Sequence, residues 1–109
     1  MISPAELKKR FLKDTPSMRL GAIASDLARL ASLARARQAA EPQAFQNVLF
    51  ELKLFTEWAA DDLSLEVCEM ILNLQRKLSR LDTGCWEGLR IENEMRRWSD
   101  KFLQISGLT

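Results

Sequence analysis

Apolar residues recur along this chain at alternating steps of three and four, the spacing that lays one continuous stripe down an α-helix. The first stripe is Leu20, Ile23, Leu27, Leu30, Ala34, and the second is Phe45, Val48, Leu52, Phe55, Ala59. The third runs Val67, Ile71, Leu74, Leu78, Leu81, and the fourth Gly88, Ile91, Met95, Trp98, Phe102, Ile105. Alternation of period two persists nowhere beyond a few residues, so the pattern predicts an all-α chain.

Capping signals divide the helices. Ser3-Pro4-Ala5-Glu6 has a hydroxyl cap, Pro at the first helical position and a carboxylate three residues on, which predicts a short lead helix. It ends near Lys13, its apolar face made only of Leu7 and Phe11. Thr15-Pro16 repeats the signal and opens a helix that runs to about Gln38. Pro42 opens the next, which continues to about Ala60. Asp61-Asp62 reads as a turn and cap for a helix ending around Leu81. Asp82-Thr83-Gly84 stops that helix, and the last runs from about Cys85 to Ile105 with Gly107 as terminator. Four helices of about twenty residues on connections this short must alternate in direction. The expected architecture is an up-down-up-down four-helix bundle with a short N-terminal lead helix, one domain over residues 1–109. Gly21, Ala24, Ser25, Ala28, Ala31 and Ser32 form a ridge of small residues beside the first stripe, which predicts close approach of another helix backbone.

Composition narrows the class without naming a reaction. The chain has 109 residues, 47% hydrophobic and 28% charged, enough for one core without disulfides or metal. No apolar run approaches the roughly 18 residues of a membrane span. The start of the chain leads into Lys8-Lys9-Arg10 rather than into an apolar export signal, so a cytoplasmic location is expected. Cys68 and Cys85 are expected roughly 20 Å apart at about 1.5 Å per residue, too far for a disulfide, and read as packing residues in a reducing compartment.

The net charge is +1, but residues 1–40 carry eight Lys or Arg against three acids, and residues 41–70 one against seven. Ordering of neighbouring helices within the fold is the preferred explanation, with orientation of a partner as the other. Arg29, Arg35, Arg37 and the Lys8 to Lys13 cluster are basic enough to raise the question of nucleic acid. No stacking aromatics interleave with them and the pI is 7.8, so nucleic-acid binding is not expected.

The chain contains no His, which removes the usual ligands of di-iron and haem bundles. Met70 and Met95 read as gap-filling packing, and no cofactor, metal or catalytic residue is expected. The strongest chemical alternative is acidic: Glu57, Asp61, Asp62, Glu66 and Glu69 have spacings that would let two adjoining helices present carboxylates to a hard cation. A metal-dependent nucleotide or phosphate-ester hydrolase would need such a cluster. Acids in a helix's first turn more commonly complement its dipole and face water, and that reading is preferred.

A more specific signal is apolar. Phe50, Leu54 and Trp58 recur every four residues opposite the Phe45 to Ala59 stripe, and Leu65, Cys68 and Leu72, at steps of three and four, form a like face on the next helix. An outward face this apolar has to be covered. Leu7 and Phe11 of the lead helix can cover part of it; a second copy related by a two-fold axis can cover the whole. The expected interface residues are Phe50, Leu54, Trp58, Leu65 and Leu72, and the expected function is a small soluble interaction or assembly module that forms a homodimer through the two middle long helices.

The closing run Arg96-Arg97-Trp98-Ser99-Asp100-Lys101-Phe102-Leu103-Gln104-Ile105-Ser106-Gly107-Leu108 resembles small uncharacterised all-helical cyanobacterial proteins. The resemblance implies a helical fold and that source; it implies no function and no site.

Overall fold

A computed structural model describes residues 3–36, 42–59, 63–81 and 88–107. Among these residues the chain is all helix: α1 (Pro4–Lys13), α2 (Pro16–Ala36), α3 (Pro42–Trp58), α4 (Leu65–Leu81) and α5 (Gly88–Ser106). The stop at Asp82-Thr83-Gly84 and the start near Cys85 lie outside the described residues.

The helix starts follow from short hydroxyl side chains. Ser3, in extended conformation, accepts the Glu6 amide on Oγ at 3.3 Å, and Pro4 then begins α1 at no cost in hydrogen bonds. Thr15 does the same for α2, its Oγ1 accepting the Met18 amide at 3.2 Å. At α4 the expectation needs correction. The cap is Ser64, whose Oγ accepts the Val67 amide at 3.3 Å; Asp61 and Asp62 lie outside the described residues. At the far end Gly107 adopts φ +75°, and its amide closes on the Gln104 carbonyl at 3.3 Å. A side chain at that φ would be strained, so glycine ends the helix.

The stripes on α2 and α3 are buried throughout, as is that of α4 apart from a half-buried Val67. Together with Phe11, Ile91, Met95 and Phe102 they form one apolar cluster. The helix α2 is its hub: it packs most extensively on α5 and next on α3, while α1 and α4 each pack on α3.

The α2 and α5 contact explains where the small residues go. Ala24 and Ala31, seven apart, are buried on α2, and Ser99 and Ser106, also seven apart, are buried on α5. Ser99 Oγ donates to the Ala24 carbonyl at 2.7 Å, a side-chain to main-chain bond that requires the two backbones to lie close. The expected ridge therefore divides. Ala24 and Ala31 turn inward, Gly21 and Ala28 are half-buried, and Ser25 and Ser32 face solvent.

The same contact corrects the stripe on α5. Ile105 is 39% exposed and Trp98 half-buried, while Ser99 and Ser106 take the inward positions. The helix is turned by about one residue because bulky Trp98 would hold α5 away from Ala24. Trp98 instead lies at the edge, 6.0 Å from the Phe102 ring, with the Lys101 ammonium 5.1 Å over its outer face.

Two consequences are measurable by chemical denaturation. Leu52→Ala and Leu74→Ala, at fully buried positions, should each cost about 2 to 5 kcal/mol, against about 1 for Ser3→Ala at an exposed cap. Ala31→Leu should cost about 1 to 3 kcal/mol although it adds apolar surface, because the close α2 and α5 contact has no room for it.

Candidate functional site

The outward face of α3 and α4 is assembled from residues that the core stripes leave over. These helices pack on each other, and Gln75 of α4 donates to Thr56 Oγ1 of α3 at 3.3 Å. Thr56 is itself buried, its hydroxyl donating to the Lys53 carbonyl at 2.8 Å, so both roles of that hydroxyl are satisfied. On the solvent side of this pair Phe50 is 59% exposed, Leu65 78% and Leu72 53%. Leu54 and Cys68 are half-buried. Lys53 stands on the same side of α3, and partial burial lowers its pKa below the usual ammonium range.

Trp58 has a different environment from Phe50. The lead helix covers it: Phe11 stacks on Phe55 with centroids 4.5 Å apart and meets Trp58 at 6.1 Å, while Phe55 and Trp58 are also 6.1 Å apart. Phe11 is the buried residue of α1, so this three-ring cluster is what docks the lead helix. The carboxyl end of α1 is fastened from α2, where buried Arg19 donates Nη2 to the Leu12 carbonyl at 2.8 Å. That bond satisfies one of the last carbonyls of α1 and places positive charge at the negative end of its dipole. The docking also sets the basic helix beside the end of α3 that carries Glu57.

The acidic alternative is less well assembled. Glu57, Glu66 and Glu69 are exposed, and Asp61 and Asp62 lie outside the described residues. Among the described residues no three of His, Cys, Asp and Glu stand close enough to hold one metal ion. Nor is any helix among them long and apolar enough to cross a membrane.

A second feature lies on the other side of α3. An open groove of 610 Å³ runs between α2 and α3, lined by Ser25, Ala28, Arg29, Ser32 and Leu33 on one side and Ala44, Asn47 and Val48 on the other. At its edge Arg29 Nη1 lies 3.4 Å from Asp26 Oδ1 and 3.7 Å from Glu51 Oε2. Asp26 is only 4% exposed, and its Oδ2 is buried without a hydrogen-bond donor. Burial first, then the hydrogen bond to Glu51 and the repulsion from its charge, push the Asp26 carboxyl up to about 8; Arg29 opposes them. Hydrophobic periodicity alone does not mark this cluster, but Asp26 stands three residues after Ile23 and four before Leu30, a spacing that turns it inward.

Comparison with protein-family models, with curated proteins and with solved structures returns no match to this chain.

Removing the plug of the three-ring cluster tests the docking of α1. Phe11→Ala should cost about 3 kcal/mol and shift tryptophan emission to the red as Trp58 gains solvent. Leu12→Ala, at an exposed position of the same helix, should leave the emission unchanged in steady-state fluorescence.

Proposed function

We propose that this protein is a small helical interaction module that self-associates through the outward face of α3 and α4. The observation that carries the reading is the exposure of Phe50, Leu65 and Leu72 on two neighbouring helices. Large apolar side chains left in water on adjacent elements are removed from it by association. Leu54 and Trp58 would flank this contact, Trp58 contributing the edge that α1 leaves open. The underlying arrangement is read as an up-down-up-down four-helix bundle with α1 as lead helix. The Arg29 to Glu51 pair, with Ser32 and Leu33 facing Ala44 and Val48 across the groove, supports opposite directions for α2 and α3.

Charge along α4 favours a second copy as the partner. Glu66 and Glu69 are exposed near its start, Arg76 and Arg80 near its end, and Leu72 stands between them. A two-fold axis beside Leu72 runs α4 antiparallel to its counterpart and sets Glu69 against the partner's Arg76, twice over. The apolar centre is then bracketed by opposite charges, and the same pairing disfavours the parallel alternative. A net charge of +1 adds little long-range repulsion between copies.

Sedimentation at micromolar concentration should give a dimer for the native protein and a folded monomer for Phe50→Glu, since residue 50 contributes little to the core. Arg76→Glu should weaken the dimer by about tenfold or more, by setting like charges opposite each other. The double exchange Glu69→Arg with Arg76→Glu should restore it. A native monomer would refute self-association, and failure of the double exchange would refute this axis.

A further inference from the structure

We propose that Asp26, Glu51 and Arg29 form a proton-operated latch on the α2 and α3 seam, closed while Asp26 holds its proton and loosened when the proton leaves. The inference is independent of the face on α3 and α4, since it concerns the side of α3 that meets α2.

The geometry is that of two carboxyl groups served by one cation. Arg29 approaches both through the same nitrogen, at 3.4 Å to Asp26 Oδ1 and 3.7 Å to Glu51 Oε2, and neither contact has the two parallel bonds of a strong guanidinium pair. Asp26 Oδ2 is buried and receives no donor, an expensive position for an ionised oxygen. A proton there converts an acceptor lacking a donor into a donor, and Glu51, within hydrogen-bond reach, supplies the acceptor. Between the two acids the proton belongs on Asp26, whose side chain is 6% exposed against 30% for Glu51, because the more buried group is the costlier to ionise.

The surroundings leave the balance to these three groups. Among the described residues the charged groups acting on Asp26 are Glu51 from α3 and Arg29 from its own helix. On α5, the other helix packed closely on α2, Glu92 pairs with Arg96, and Glu94 pairs with Arg90 and with Lys77 of α4. The charged residues of α1 (Glu6, Lys8, Lys9, Arg10, Lys13) are exposed.

The protonated cluster is neutral, with one guanidinium and one carboxylate. Loss of the proton leaves two carboxylates competing for one guanidinium, one of them buried. The folded state therefore binds a proton that the unfolded chain, with an ordinary carboxyl, releases. The contribution to stability is fully present below the ordinary Asp range and is lost as pH rises through about 8. The strain falls on the only charged tie seen between α2 and α3 among the described residues, and the 610 Å³ groove beside it is where the helices part.

The test is carboxyl-carbon NMR titration combined with amide hydrogen-exchange protection factors in the full chain. In the native protein one Asp should titrate well above the ordinary range, and protection in residues 23–36 and 44–55 should fall by about tenfold or more from about pH 5 to about pH 9. Asp26→Asn, which keeps the shape of the neutral acid, should make that protection independent of pH. Glu51→Gln should bring the Asp26 titration down towards the ordinary range while the fold is retained. Ordinary titration of Asp26 in the native protein would overturn the latch. So would an undiminished pH dependence in Asp26→Asn, or failure of that variant to fold at about pH 5, where the native cluster is already neutral.

Discussion

The close approach of α2 and α5 is the contact on which the rest of this structure depends. Two alanines and two serines, each pair one heptad apart, remove the side-chain bulk that would otherwise separate the axes. Ser99 then reaches the Ala24 carbonyl directly. A hydroxyl in that position would be costly in an apolar core, but here its hydrogen bond is made to a main-chain oxygen of the opposing helix. Tight packing on this side commits the large residues of α2, Ile23, Leu27 and Leu30, to the remaining space, where they join the common apolar cluster. It also decides the rotation of α5, and with it the placement of Trp98 at the edge.

Most of the fold was legible because it rests on periodicity and caps, both local properties. The stripes on α2, α3 and α4 and the starts at Ser3 and Thr15 needed no knowledge of what packs against what. The misreadings occur where the outcome depends on a partner helix. On α5 two frames of positions compete, Ile91-Met95-Trp98-Phe102-Ile105 and Met95-Ser99-Phe102-Ser106, and hydrophobicity favours the first. Steric fit to Ala24 and Ala31 selects the second, and no scale of residue hydrophobicity contains that information. At α4 several short polar residues precede the helix, and which of them caps it depends on where the chain turns; Ser64 takes that place. Of the outward face, Phe50, Leu65 and Leu72 could be read from their position opposite the core stripe. That Leu7 and Phe11 of the lead helix can cover part of this face was also readable; that the cover falls on Trp58 and not on Phe50 was not, since it depends on how the lead helix turns after Asp14.

The two sides of α3 illustrate different uses of exposed and buried surface. Towards α4 its free side carries the apolar Phe50 and Leu54, with Lys53 beside them. Towards α2 it carries Glu51 into contact with Asp26 and Arg29, a group of charges that sequence spacing places inward and that the backbone cannot turn away. Buried ionisable groups of this kind are poor contributors to stability compared with apolar residues of similar volume. Their effect is to make this seam responsive to its surroundings, whereas the Ser99 to Ala24 hydrogen bond between α2 and α5 joins two groups that do not titrate.

The Ser99 to Ala24 hydrogen bond joins residues 75 positions apart. Its consequence is for the order of folding. Helix pairs that adjoin in sequence close short loops, whereas α5 reaches α2 only after nearly the whole intervening chain has been drawn in, and the entropy of that closure grows with loop length. The contact that organises the finished molecule is thus the one whose formation is entropically most expensive. Closure of α5 onto α2 is therefore the least local step in assembling this fold.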